Sequence, residues 1–99
     1  MNSQTKRRAP TTPGEILREE FLRPLELSQR QVAEHIGCDV KVINRLVDGR
    51  TSVTAEMALR LAAAFQTTAG FWLNAQKAVD LHKASNRIRR LPKPLLRAS

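Results

Sequence analysis

The chain has little of what several kinds of chemistry need. It holds one cysteine, Cys38, which excludes an internal disulfide and any cysteine-paired metal cluster, and which agrees with a reducing compartment. Tyrosine is absent and the aromatics number only three Phe and one Trp, so no platform exists for stacking single-stranded RNA bases. Four glycines are too scattered to form a phosphate-cradling loop. Two histidines, His35 and His82, stand far apart, and no HExxH spacing occurs. No catalytic or metal-binding set emerges from these residues, and none implies a cofactor. No apolar run approaches the length of a membrane span, and MNSQTKRRAP is basic without an apolar stretch behind it, so neither a span nor a secretory leader is expected.

What is present begins with charge. Seventeen Lys and Arg face nine Asp and Glu, a net charge of +8. The whole excess lies at the ends, on Lys6, Arg7 and Arg8 and on Arg87, Arg89, Arg90, Lys93 and Arg97, while Pro13 to Ala84 is formally neutral. Such ends suit sequence-blind attraction to nucleic acid phosphates, and equally suit solubilising tails. Ninety-nine residues fit one domain. The expected division is a basic tail over 1–12, a helical domain over 13–85 and a basic, Pro-containing tail over 86–99.

Caps and apolar periodicity predict five helices and no strand. The first follows Thr12, with Pro13 at its first position and Glu15 placed to complete a capping box. It should run to about Leu22, turn Ile16, Leu17 and Phe21 inward, and end before Pro24. The second starts at Ser28 with a box to Gln31 and a Leu27 to Val32 staple, and ends at Gly37. Asp39 caps the third, Val40 to Val47, in which Ile43, Leu46 and Val47 form the inward stripe. The fourth starts at Thr54 and buries Ala58, Leu61, Ala62 and Phe65. The fifth starts at Thr68 and buries Phe71, Trp72, Ala75 and Val79, fading after Ser85 toward Pro92 and Pro94.

The second and third segments carry the functional pattern. A small residue, a glycine turn and apolar residues at fixed offsets allow two short helices to pack steeply, as Ala33, Gly37, Ile43 and Leu46 do here. The outer side of the third helix then offers Val40, Lys41, Asn44 and Arg45, which suits a helix lying in the major groove of DNA. Lys41 and Arg45 can donate to guanine O6 and N7, Asn44 can pair with adenine, and Val40 can meet a thymine methyl. Gln29 and Arg30 open the second helix, whose N-terminus favours a phosphate, and Arg50 and Thr51 follow the reading helix toward the neighbouring backbone. Asp39 complicates the pattern, since it caps its helix yet repels phosphate.

The runs PGEILREEFLRPLELSQRQVAEHIG, INRLVDGRTSVTAEMALRLAAAF and FWLNAQ, between Pro13 and Gln76, resemble the HigA or VapI-like antitoxins, a branch of the Xre repressor superfamily. The resemblance implies an all-α, five-helix, lambda-repressor-like domain that acts in the cytoplasm as a homodimer. It implies binding to a palindromic operator in double-stranded DNA and neutralisation of a HigB-type mRNA-cleaving toxin. It assigns DNA contact to Gln29, Arg30, Val40, Lys41, Asn44, Arg45 and Arg50. CDVKVINRL departs from the more polar start of the reading helix in many relatives, which bears on the operator sequence and leaves the docking mode intact.

Dimerisation also follows from the few base pairs one short helix can read. Leu73 and Leu81 lie outside the fifth helix's stripe and are candidates for that surface or for the core. A toxin could meet the acidic first helix, with Glu15, Glu19 and Glu20, or a tail that folds on binding. A repressor with no toxin partner is the alternative.

Overall fold

The computed structural model describes residues 8–96, so Lys6, Arg7 and Arg97 lie outside the described residues. Five helices make up the fold, with no strand among the described residues. The first, α1, is one continuous helical run in three parts: an α-turn Pro13–Ile16, a π-helical stretch Leu17–Leu22 and an α-turn Arg23–Leu25. Then come α2 (Gln29–Ile36), α3 (Val40–Val47), α4 (Ala55–Phe65) and α5 (Ala69–Arg87).

Each of the five starts on a side-chain cap at the expected residue. Thr12 Oγ1 accepts from Glu15 N–H at 3.1 Å, Asp39 Oδ1 from Lys41 N–H at 2.8 Å, Thr54 Oγ1 from Met57 N–H at 3.1 Å and Thr68 Oγ1 from Phe71 N–H at 3.1 Å. At α2 the box closes both ways: Gln31 N–H donates to Ser28 Oγ at 3.0 Å and Ser28 N–H to Gln31 Oε1 at 2.8 Å. At Thr12 only the first half of the expected box forms. Ser28→Ala should therefore cost about 1 kcal/mol or somewhat more, because two backbone donors lose their arrangement together. Urea unfolding with an unchanged slope is the measurement.

The end of α1 differs from expectation. Helix geometry continues through Pro24 because the π-helical register precedes it, with Arg23 N–H donating to Arg18 O. A regular α-helix would drive the proline ring against the carbonyl of residue 20, and the wider π turn relieves that collision. Glu26, at φ 55°, closes the helix instead, and Leu27 N–H returns to Leu22 O at 2.9 Å.

One core gathers all five helices: Leu17 and Leu22 from α1, Val32 and Ala33 from α2, Ile43, Leu46 and Val47 from α3, Ala58 and Leu61 from α4, and Trp72 from α5. Trp72 is fully enclosed, and its Nε1–H donates to Thr67 Oγ1 at 2.8 Å, which satisfies the one polar atom that burial would otherwise strand. Phe21 bridges the aromatics, with ring centres 4.8 Å from Phe65 and 5.6 Å from Trp72. Phe71 is the exception to the expected stripe. It remains exposed, edge-on to Trp72 at 5.1 Å, on the side of α5 that turns about 100° away from the Trp72 direction. Leu73 packs against the core and Leu81 stays exposed. α5 also runs two residues past Ser85, to Arg87.

Candidate nucleic-acid interface

The turn between α2 and α3 is built as the residue pattern requires. Gly37 sits at φ 81°, and both Gly37 and Cys38 donate their N–H groups to Ala33 O at 2.9 Å. The left-handed position is nearly free for glycine and costly for a bulky side chain. Ala33, almost wholly enclosed, is small enough to let α3 cross close to α2. Asp39 then starts α3, and its carboxylate is engaged with Lys41 N–H. One oxygen of this exposed acid is thus tied to the backbone it caps.

Contacts on α3 itself and on the segments to either side of it hold it in place. Its inward stripe, Ile43, Leu46 and Val47, is buried. Gly14 of α1 lies so close to its last turn that a Cβ there would fall 1.8 Å from Leu46 O and 2.8 Å from Val47 Cα. Arg60 of α4 donates to Ile36 O at the end of α2 and pairs with Glu56 at 2.8 Å. Beyond α3, Gly49 turns the chain at φ 74°, and Val53 N–H donates across to Gln76 Oε1 of α5 at 2.9 Å, while Gln76 Nε2–H reaches Asp80 at 3.0 Å. The loop carrying Arg50 and Thr51 is therefore fastened at its far end to α5.

On the outside of α3, Lys41, Asn44 and Arg45 are exposed and lie on one arc at i, i+3 and i+4. Neither cation is in an ion pair among the described residues, nor are Arg30 and Arg50. Asp48 continues the same arc one turn on and is also exposed. It is the acid that an approaching phosphate would meet. Val40 is half-buried and packs on the core, so it presents only part of its side chain. Gln29 is half-buried and Arg30 exposed at the start of α2, while Arg50 and Thr51 are exposed after α3.

A cleft of about 400 Å³ opens beside that loop, lined among others by Thr12, Arg50, Thr51, Ser52, Thr54 and Lys83. It contains no Asp, Glu, His or Cys. Two cations and several hydroxyls form a surface for an anion and supply no acid–base pair. Lys83, Gln76, Arg60 and Gly14 had escaped notice in the sequence. Gly14, Arg60 and Gln76 stand within the quoted runs and Lys83 outside them, and the role of each shows itself only through pairs distant along the chain. Cys38 is half-buried, and desolvation pushes its thiol above the ordinary value, the opposite of what a nucleophile needs. On α1, Arg18 donates to Glu19 at 2.8 Å and holds its carboxyl below the ordinary value. Both side chains are about two-fifths exposed.

Two short helices around a glycine turn, the second held rigid with a polar outer face, define a helix-turn-helix domain. The helix-turn-helix family HTH_3 matches residues 17–72. The antitoxin HigA-1 of Vibrio cholerae is 43% identical over 84 residues, which cover 85% of this chain and 78% of that protein. YbaQ of Escherichia coli, an uncharacterised HTH-type transcriptional regulator, is 45% identical over 82 residues, 83% of this chain and 73% of its own. The structure of Pseudomonas aeruginosa antitoxin HigA with the higBA promoter superposes with a TM-score of 0.81 at 35% identity, covering 88% of this chain and 99% of that one. The chain belongs to the Xre-type helix-turn-helix family, in its HigA-like antitoxin branch.

Proposed function

We propose that this protein is a cytoplasmic DNA-binding antitoxin that, as a homodimer, represses its own operon and neutralises a HigB-type mRNA-cleaving toxin. The observation that carries the reading is the outer face of α3: Lys41, Asn44 and Arg45 are exposed together on a helix whose position is fixed from both ends. Lys41 and Arg45 read guanine and Asn44 reads adenine in the major groove, with Val40 at the flank of the contact. Arg30 and Gln29 at the N-terminus of α2, and Arg50 and Thr51 after α3, hold the phosphates on either side. Ser52 and Lys83, which line the same cleft as Arg50, extend that second contact. The folded unit that does this is the helical domain from residue 13 to the end of α5, with the basic segments as appendages.

A palindromic operator needs two reading helices about one DNA turn apart, hence a dimer. Leu81 of α5, 62% exposed, supports a pairing surface there, whereas Leu73 belongs to the core of its own subunit. Exposed Glu15 on α1 supports docking of a basic, RNA-cleaving toxin. Repression is steric, and the reading requires neither catalysis nor a cofactor.

The second reading, a repressor with no toxin, is favoured by the naming of the Escherichia coli relative as a transcriptional regulator. Co-purification of the untagged protein with the tagged product of the adjacent small open reading frame separates the two. A stoichiometric complex and relief of growth arrest are expected. No complex, with operator binding retained, leaves the plain repressor.

A further inference from the structure

Two parts of the surface have no partner among the described residues of the subunit. The first is a mainly apolar groove of about 330 Å³ between the end of α1, α2 and the end of α4, lined by Leu25, Leu27, Ile36, Ala64 and Phe65 among others, with Gln31 and His35 as its polar members. It continues past Phe21 and Pro24 to Glu20. The second is the segment 88–96 that follows α5. There Ile88 is 49% exposed, Leu91 71%, Leu95 101% and Leu96 86%, an unusual display of aliphatic surface alternating with Arg89, Arg90 and Lys93. Charge matches between them. Glu20 on the groove, and Glu26 between its two leucines, enter no ion pair among the described residues.

A face of α5 says how the two could meet. Phe71, Asn74, Ala78, Leu81 and Ser85 on α5, and Ile88 just past its end, are all exposed and follow one another in alternating steps of three and four residues, the spacing of a helix-pairing seam. The pattern reads the same in both directions. A two-fold axis near its middle would set Phe71 against Ile88 of the partner subunit, Asn74 against the partner's Ser85 and Ala78 against the partner's Leu81. In that antiparallel pair the end of one α5 lies beside the start of the other. The start of α5 adjoins the groove through the stacked Phe65, Phe21 and Trp72.

Reach decides between a subunit's own groove and its partner's. α5 has 19 residues and so spans roughly 28 Å. The segment 88–96 extends at most about 30 Å, so it could regain its own groove only by retracing the whole helix at full stretch. The principal extents, 54 × 27 × 22 Å, describe a molecule that projects well beyond a compact core. We propose that residues 89–96 of one copy lie in the Leu25, Leu27, Ile36 and Phe65 groove of a second copy, with the leucines inserted and the basic residues against Glu20 and Glu26, locking an antiparallel α5 pair. The exchanged segment gives the basic C-terminal charges a protein partner in place of DNA phosphates. It rests on the homodimer reading above.

Sedimentation equilibrium of the full chain beside the variant Leu91→Ser, Leu95→Ser, Leu96→Ser tests it. The dimer should weaken at least about tenfold, the equivalent of losing one buried leucine, with the melting of the subunit unchanged. A second measurement mixes chains carrying Leu95→Cys with chains carrying Ala64→Cys, both in a Cys38→Ser background, under mild oxidation. A disulfide between unlike chains is expected. Dimers of unchanged affinity with no cross-link overturn the exchange and leave the dimer standing. A full chain that is monomeric at tens of micromolar overturns both. Loss of toxin capture with an unchanged dimer overturns the exchange by assigning the segment to the toxin.

Discussion

Gly14→Ala should destabilise the domain by about 3 kcal/mol or more, a large share of the roughly 5 to 15 kcal/mol that holds such a fold together. The added Cβ would stand 1.8 Å from Leu46 O and 2.6 Å from Leu46 C, and both are backbone atoms of α3 that no rotamer change can move aside. Either α1 lifts from α3 or the last turn of α3 shifts. In the first case the subunit unfolds at lower denaturant. In the second, operator affinity falls even where the fold survives. Gly70→Ala is the matched control: its Cβ would meet only Thr68 Oγ1 at 3.9 Å, and the change should be neutral or stabilising by about 0.4 to 1 kcal/mol. Equal stabilities for the two variants in urea unfolding would refute the close approach as the reason for glycine at position 14.

Arg45→Ala and Lys41→Ala form the second large pair, and their signature is the reverse. Both side chains are exposed, so thermal melting should stay where it is. Operator binding should lose roughly 1 to 3 kcal/mol for each base contact removed, about 5- to 150-fold, and a dimer loses the contact twice. The loss should be confined to the operator. Binding to unrelated DNA, which the proposed docking assigns to phosphate contacts from residues such as Arg30 and Arg50, should change far less and keep its salt dependence. Titration of operator and scrambled duplexes at two salt concentrations reads both quantities. If both variants keep full operator affinity, α3 is not the reading helix.

The two pairs separate the roles of the helices. In the proposed docking Gly14 acts on position and the outer face of α3 on recognition, so one set of variants should move stability and the other specificity. Ser28 belongs with the first set, because its reciprocal bonds with Gln31 define where α2 begins and hence where Arg30 stands.

Much of this was legible beforehand for one physical reason: it is local. A cap binds an N–H two or three residues away, a left-handed glycine acts on its own backbone, and a stripe at helical spacing repeats within two turns. Ser28 with Gln31, Gly37, Asp39 and the Ile43, Leu46, Val47 stripe could thus be named from neighbours along the chain. Pro24 shows where local reasoning stopped. The rule that proline ends a helix holds for α-geometry, and the π-helical turn over Leu17–Leu22 lies outside it. Phe71 shows another limit. Adjacent aromatics on one helix differ by about 100° in direction, and periodicity did not say that Trp72 alone would be enclosed.

The sequence by itself determined the five helix starts, the turn and the set of polar residues on α3, since each depends on atoms a few residues apart. Only the tertiary structure decided that Gly14 must be glycine, that Arg60 and Gln76 fasten the ends of the helix-turn-helix, and that Lys83 joins Arg50 at one cleft. It alone left an apolar groove and an exposed leucine segment on the same subunit. Those facts join residues tens of positions apart, whose meeting depends on how five helices share one core, and no pattern within a single helix encodes it.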